Sequence, residues 1–168
     1  MRLDAPPPHR VPPSRQVGPR DANGLEILDG AACRRLLAQG QLGRVGISVN
    51  ALPAILPVHY AMLDDDIIFR TAAGSKVEAA IAGQVAAFEI DAHDNQTHCG
   101  WSVLVQGIAS IVTAPDDLRR CEALHVPRWL PSPETNHIRI PTKDVRGRRL
   151  THIPVRDLHA VRCCTARA

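Results

Sequence analysis

A series of β-prone runs, joined mostly by short turns, restricts this chain to a small group of folds. An alternating run at residues 42–49 turns at Asn50 into a second run at residues 52–63. Further runs follow at residues 67–71, 84–92 and 100–113, and the runs at 137–140 and 145–153 form the last strand or pair. Short turns pair neighbouring strands antiparallel, and the chain shows no alternating βαβ series. The sequence therefore predicts a mainly β protein with a few helices, built as a six-stranded antiparallel barrel.

The stretch from residue 64 to 83 joins one of these strands to a helix through a loop of small residues. Ser75 is a candidate N-cap, and Glu78 three residues later completes a capping box. A strand that turns through glycine into a helix presents backbone N–H groups beside the positive end of the helix dipole. With Thr71, Ser75 and Lys76 in place, this turn can cradle a phosphate group. An ordinary capped helix with a solvated lysine fits the same residues.

The run at residues 52–63 carries two prolines, Pro53 and Pro57, four residues apart. Proline has no N–H, so one side of this strand cannot support a full hydrogen-bonded ladder. The strand therefore lies at a sheet edge, or its remaining donors, such as the N–H of Ile55, are left for a ligand or water.

Composition and length indicate one globular domain within the 168 residues. Residues 1–24 contain six prolines and predict a disordered leader, residues 25–153 form the domain, and residues 154–168 predict a frayed tail. No apolar run is long enough for a membrane helix or a secretory signal, which predicts a cytoplasmic location without a membrane partner. The excess of basic residues lies near the two ends of the chain, and aromatic residues are scarce. This pattern is not typical of a specific nucleic-acid binder.

The sequence offers no standard catalytic or metal-binding motif. Its five cysteines form no CxxC pair, which indicates reduced thiols. His93 and His98 share one loop with Asp91 and Asp94, but their spacing matches no standard metal site. The prediction is therefore that no metal is bound and that no side chain is an identifiable catalytic acid or base.

Taken together, the blocks of sequence resemble a known family. The segments FRTAAGSK at residues 69–76, FEID at 88–91 and GWSVLVQG at 100–107 carry the resemblance. They are similar to the pyridoxamine 5′-phosphate oxidase-like proteins, an FMN-binding split-barrel family, in its short actinobacterial-type branch. The similarity spans about residues 25–153 and keeps the order and spacing of the blocks.

This resemblance implies a split barrel that binds FMN and works as an oxidoreductase on a small-molecule acceptor. It implies a homodimer with the cofactor at the interface, so that part of each site comes from the second chain. The implied phosphate-binding block contains Phe69, Arg70, Thr71, Gly74, Ser75 and Lys76. The strand implied to face the flavin ring contains Ile55, Leu56, Pro57, Val58, His59 and Tyr60. The residues implied to approach the ring or the ribityl chain are Trp101 and Ser102.

Two departures from the oxidases of the family separate this chain from vitamin B6 oxidation. The flavin-facing strand has His59 and Tyr60 or apolar residues where those oxidases carry a basic residue, and only Lys76 follows Ser75 where they carry two basic residues. Two alternatives therefore stay open on the same fold. One is the use of the deazaflavin coenzyme F420, whose anionic tail would need further cations such as Arg44 or Arg149. The other is a non-enzymatic flavin- or haem-binding sensor or carrier.

Overall fold

The structure, a computed structural model, describes residues 18–127 and 134–150 of the chain. Nine strands form one antiparallel sheet within these ranges. The strands are β1 (Glu26–Leu28), β2 (Leu42–Val49), β3 (Leu52–Leu63), β4 (Asp66–Ala72), β5 (Val85–Asp94), β6 (Cys99–Ile108), β7 (Ser110–Ile111), β8 (Thr135–Pro141) and β9 (Asp144–Leu150). The helices are α1 (Gly30–Gln39), α2 (Lys76–Ile81) and α3 (Pro115–Ala123). None of the helices in the described ranges is both long and apolar enough to cross a bilayer.

The sheet curls because two strands, β3 and β7, link its two halves. One half contains β1, β9, β6, β5 and β2, and the other contains β4 and β8. The strand order is β1-β9-β6-β5-β2-β3-β4-β8-β7. Strand β3 pairs with β2 over residues 52–59 and with β4 over residues 60–63, so it turns the corner between the halves. Strand β7 directly continues β6 but pairs with β8 of the other half. The mainly β split barrel predicted from the sequence is confirmed.

The predicted count of six strands is too low, for three local reasons. The runs at residues 137–140 and 145–153 belong to two separate strands, β8 and β9. Strand β1 is only three residues long, too short for a periodic signal, and it pairs with β9 at the sheet margin. The long run at 100–113 is divided at Ala109, whose backbone bonds instead to Gly83 and Gln84 at 2.8 and 2.9 Å. The sequence predicts the bend at Gly107, two residues earlier. A Cβ at Gly107 would lie 2.9 Å from the carbonyl oxygen of Pro141, so this glycine permits the close approach of β8.

The helix signals of the sequence are observed at the start of each helix. The carboxylate of Asp29 accepts the N–H of Ala32 at 2.6 Å and caps α1, which ends before Gly40. Helix α3 begins at Pro115 with two acidic residues in its first turn, and it ends at Ala123.

The core lies on the concave side of the sheet and is closed by α1 and α2. Phe69 and Phe88 are fully buried, and the Phe88 ring meets that of Tyr60 edge to face at a centroid distance of 4.9 Å. On the opposite face of β4, Ile68 packs with Cys121 of α3 in a smaller apolar cluster. Successive residues of β4 therefore face two different environments.

The folded domain extends further toward the N-terminus than the sequence predicts. The carboxylate of Asp21 accepts the N–H groups of Asn23 and Leu25, each at 3.0 Å, and it also accepts the Nε–H of Arg148 at 2.9 Å. Residues 18–24 thus pack beside β9, although the sequence assigns them to the leader. Residues 1–17 and the predicted tail at 154–168 lie outside the described residues.

Candidate functional site

The turn from β4 into α2 is built as a tightly bonded cap. Gly74 adopts a positive φ of 68°, a conformation that glycine accepts without strain. The hydroxyl of Ser75 accepts the N–H of Glu78 at 3.1 Å, which makes Ser75 the N-cap as predicted. The N–H of Ser75 bonds to the carbonyl of Ala72 at 3.2 Å. The local sequence signals therefore place the start of α2 correctly.

The Glu78 side chain takes a position that the sequence does not predict. A capping box would direct its carboxylate to the N–H of Ser75. Instead, Oε2 of Glu78 accepts the N–H of Gly74 at 2.5 Å, and Oε1 accepts the amide Nδ2 of Asn136 on β8. The side chain is 7% exposed. One of the backbone donors expected to face a phosphate is therefore occupied by the protein's own carboxylate.

Thr71, at the end of β4, carries an unsatisfied polar atom. The residue is 8% exposed, and its Oγ1 has no hydrogen-bond partner within the parts of the chain that the structure describes. Thr71 lies opposite Asn136 in the β4–β8 register, so the two side chains share a face of the sheet. Because buried hydroxyls are nearly always hydrogen-bonded, this orphaned atom fits a ligand oxygen at the β4–α2 turn.

Arg70, the neighbour of Thr71, points away from this turn. Adjacent residues of a strand face opposite sides of the sheet, and Arg70 lies on the side covered by α3. Its Nε donates to Nε2 of His137 at 3.0 Å. Phe69 is fully buried in the main core. Among the residues of the predicted phosphate-binding block whose side chains the structure describes, three lie at the turn: Thr71, Gly74 and Ser75.

Strand β3 has one open edge. The N–H of Tyr60 bonds to the carbonyl of Gln41 at 3.0 Å, which directs the N–H groups of even-numbered β3 residues toward β2. Odd-numbered residues 53–59 therefore direct theirs away from β2, where no strand pairs with them in the described ranges. The two prolines fall on this side, as the sequence predicts for an edge, and the N–H of Ile55 is a donor there.

Side chains of the predicted ring-facing strand divide between the two faces of the sheet. Leu56, Val58 and Tyr60 point inward. Burial raises the pKa of Tyr60, whose hydroxyl donates to the carbonyl of Leu37 at 2.6 Å. The others of this strand face outward, and they are Ile55, Pro57 and His59.

Trp101 and Ser102 lie near the start of β6, whereas the segment that follows α2 bonds to Ala109, beyond the other end of that strand. Both belong to β6, which is separated from β3 by β5 and β2. Trp101 packs against the main core, whereas Ser102 faces the outer side of the sheet. A single copy of the chain therefore does not bring these two residues together with Thr71 and Ser75.

The two arginines considered for an anionic tail are both engaged by carboxylates. Arg44 bonds to Asp91 at 2.6 Å and to Glu89 at 3.3 Å on the outer face of the sheet. Arg149 lies 3.6 Å from the carboxylate of Glu26.

The loop between β5 and β6 brings the rings of His93 and His98 to a centroid distance of 6.4 Å. Nδ1 of His93 lies 3.0 Å from Oδ1 of Asn95. Within residues 18–127 and 134–150, no three His, Cys, Asp or Glu side chains are grouped so that they could hold a metal ion.

Comparison with known proteins assigns the chain to a family. The family described as pyridoxamine 5′-phosphate oxidase matches residues 29–160. An uncharacterized protein of Mycobacterium tuberculosis is 36% identical over 144 residues, which cover 83% of this chain and 94% of that protein.

Solved structures agree with this assignment. The FAD binding protein from Mycobacterium smegmatis is 31% identical with a TM-score of 0.65, and the match covers 74% of this chain and 98% of that one. A conserved protein of unknown function from Corynebacterium diphtheriae is 26% identical with a TM-score of 0.63, covering 77% and 98% of the two chains. The fold is thus that of flavin-binding split barrels, and the chain belongs to the pyridoxamine 5′-phosphate oxidase-like family.

Proposed function

We propose that this protein is a homodimeric flavoprotein of the cytoplasm that binds FMN, or the FMN half of FAD, and transfers hydride or electrons to a small-molecule acceptor. The observation that carries the proposal is the buried, unpaired Oγ1 of Thr71 at the β4–α2 turn. A phosphate oxygen supplies the partner that this hydroxyl lacks, and the family to which the chain belongs supports a flavin as the source of that phosphate.

The residues assigned to the flavin fall into two groups. Thr71, Ser75 and Lys76 would hold the phosphate, and the open edge of β3, including the N–H of Ile55, would meet the ring. A bound flavin supplies the redox chemistry. The chain's own residues bind and orient it, and the apolar side chains beside β3 exclude water from its ring.

The outer face of the sheet supports the proposed homodimer. Ile55, Val85 and Ile108 are exposed to 72%, 68% and 60%, and Val85 lies directly opposite Ile108 in the β5–β6 register. Such apolar exposure across several strands is typical of an interface. A second copy seated on this face would bring its Trp101 and Ser102 to the first chain's β3 edge and so complete the site.

Identification of the bound molecule tests the proposal directly. Purified protein is expected to show flavin absorbance, and chromatography of the cofactor released on denaturation distinguishes FMN from FAD. Riboflavin, which lacks the phosphate, is expected to bind more weakly than either. A protein that retains no flavin and binds none on titration would refute the proposal. A Soret band would indicate haem, and tight titration by coenzyme F420 with no response to FMN or FAD would indicate deazaflavin use.

Lys76→Ala tests the phosphate site. The loss of a charged hydrogen bond is expected to weaken flavin affinity by about 1.5–3 kcal/mol. Lys143→Ala is the matched control, because Lys143 is exposed between β8 and β9. Titration of both variants by flavin fluorescence quenching measures the difference. Equal affinity in the two variants would remove Lys76 from the site.

A further inference from the structure

The β4–α2 turn contains an acidic side chain at the place proposed for an anionic ligand. Both oxygens of Glu78 act as hydrogen-bond acceptors, one from the Gly74 N–H and one from the Asn136 amide. The carboxylate thus receives one N–H donor on each of its oxygens, as an acceptor-only carboxylate does. The turn therefore already carries one negative charge, and this charge is buried.

This charge changes what the site can accept. A phosphate monoester, as in FMN, has its second pKa near about 6 and is largely a dianion at neutral pH. In FAD the phosphate on the flavin side bears a single negative charge, and the second charge of the pyrophosphate lies on the neighbouring phosphorus. Repulsion between like charges grows with each added charge and is strong where water is excluded. A buried carboxylate in the same turn therefore penalises a dianion more than a monoanion.

We infer that Glu78 is a specificity-determining residue: it makes this site select a flavin whose turn-bound phosphate bears one negative charge, as the flavin-side phosphate of FAD does, over the dianionic monoester FMN. The inference rests on the proposed function, since it assumes that the flavin phosphate binds at the β4–α2 turn. The buried, unpaired Oγ1 of Thr71, opposite Asn136 and independent of the helix, is the second observation that points to a ligand there.

Among the described residues, the two strands beside Glu78 contribute neutral side chains to the turn. Strand β8 contributes the neutral Asn136, and β4 contributes the neutral Thr71. Glu134 precedes β8, and its carbonyl accepts the N–H of Ala73 at 3.2 Å while its side chain is exposed. Lys76, the first residue of α2, is the cationic residue next to Ser75 in the sequence. One lysine charge offsets that of Glu78, so a phosphate monoanion leaves one negative charge uncompensated and a dianion leaves two.

The test uses FMN and its phosphate methyl ester, which differ in phosphate charge and by one methyl group, so that contacts of the adenine do not enter. At pH 7.5 we expect wild-type protein to bind the methyl ester at least tenfold more tightly than FMN. Glu78→Gln keeps the size of the side chain. The amide of Asn136 can rotate to bond it, so the turn is retained. In this variant FMN affinity should rise at least tenfold, with the affinity for the ester changed less than threefold.

Glu122→Gln is the control, because Glu122 is an exposed acid on α3 and its replacement makes the same change in net charge. It should leave the ratio of the two affinities unchanged. An unaltered ratio in Glu78→Gln, or a wild-type protein that prefers FMN, would overturn the inference and leave the proposed flavin function intact. Failure of wild-type protein to bind riboflavin, FMN, the ester or FAD would overturn the proposed function itself, and the inference with it.

If Glu78→Gln does not fold, the inference is tested by measuring the affinity of the wild-type protein for both ligands as a function of pH. Between pH 8 and pH 5.5, FMN gains a proton and the methyl ester does not. The affinity for FMN relative to the ester should therefore rise at least fivefold as the pH falls. Titration of a protein group that affects the two ligands equally cancels in this ratio. A ratio that stays constant over this range would overturn the inference.

Discussion

At the scale of single residues, Thr71 is the most informative position in the molecule. Its hydroxyl is buried without a partner in the described residues. Leaving a buried polar group unsatisfied costs about 1–3 kcal/mol. The ligand-free protein therefore carries a local destabilisation that a bound oxygen would relieve.

Thr71→Val removes this hydroxyl and nearly preserves the shape of the side chain. We expect the free energy of unfolding of the ligand-free protein to stay constant or rise by up to about 1 kcal/mol, because no hydrogen bond is lost. Flavin affinity should fall by roughly 0.5–1.5 kcal/mol, the net value of one hydrogen bond. Urea unfolding and flavin titration measure the two effects.

Thr142→Val is the matched control for this substitution. Thr142 is equally buried, but its hydroxyl donates to the carbonyl of Asp65 at 2.6 Å. Its replacement should destabilise the protein by about 1–3 kcal/mol, because that carbonyl loses its donor, and should leave flavin affinity unchanged. A Thr71→Val protein that loses stability as Thr142→Val does would show that Thr71 has a partner within the protein.

The sequence predicts some of these residues and not others, for reasons of distance along the chain. Ser75 is recognised as a cap because a cap is a local pattern. The face of the sheet on which Arg70 lies is also predictable, because neighbouring strand residues such as Arg70 and Thr71 point to opposite faces. The bond between Glu78 and Asn136 joins residues from α2 and β8, and no local pattern contains it.

At the scale of elements, β3 combines a paired side and an open side in one strand. Its even-numbered N–H groups bond to β2, and its odd-numbered ones do not. The prolines of the sequence predict this edge correctly, because missing donors are visible in the sequence itself. The division of the run at 100–113 is harder to predict from the sequence, because it depends on backbone hydrogen bonds between Ala109 and the distant residues Gly83 and Gln84.

A pair of proline substitutions in β3 separates stability from binding. Ile55→Pro removes an N–H that faces the open edge, so the ladder with β2 is retained and stability should change by less than about 1 kcal/mol. Its flavin affinity should fall by roughly 0.5–1.5 kcal/mol if this N–H meets the ligand. Thermal unfolding and flavin titration of the purified variant measure both effects.

Leu56→Pro, one residue further, removes an N–H that faces β2. The loss of a ladder bond and the disruption of the strand should destabilise the protein by about 3 kcal/mol or more. Similar losses of stability in the two variants would contradict the alternation assigned to β3. Full flavin affinity in Ile55→Pro would remove the Ile55 N–H from the site.

At the scale of the whole molecule, the fold separates residues that the proposed site needs together. The order of the sheet places two strands between β6, which carries Trp101, and β3. The class of fold was predictable because short turns and alternating runs specify an antiparallel sheet. The proposed contribution of a second copy stays a prediction, since it involves a surface whose partner no local pattern identifies.

Substitution on the outer face tests the homodimer. Val85→Arg places a charge beside Ile108 at the centre of the exposed apolar surface. We expect sedimentation velocity to show a dimer for the wild-type protein and a shift toward monomer for the variant, with flavin binding lost in parallel. Arg119→Glu, on the exposed side of α3, is the charge-changing control and should stay dimeric. A wild-type monomer that binds flavin fully would contradict the shared site.

Mixing two defective chains tests whether each site draws on both copies. Lys76→Ala and Trp101→Leu dimers are each expected to bind flavin weakly. If the two residues reach one site from different copies, a mixed dimer has one doubly defective site and one intact site, so unfolding and refolding the mixture should restore part of the binding capacity. No restoration, with both variants folded by circular dichroism, would place the two residues in sites formed by one chain.

The prolines of β3 also bear on solubility. An unpaired strand edge is a template on which strands of other molecules can assemble into aggregates. Pro53 and Pro57 remove every second donor from the open side of β3, so an approaching polypeptide cannot form a continuous ladder there. The edge therefore stays accessible to a small molecule that needs only the single N–H of Ile55, while it resists the growth of intermolecular sheet.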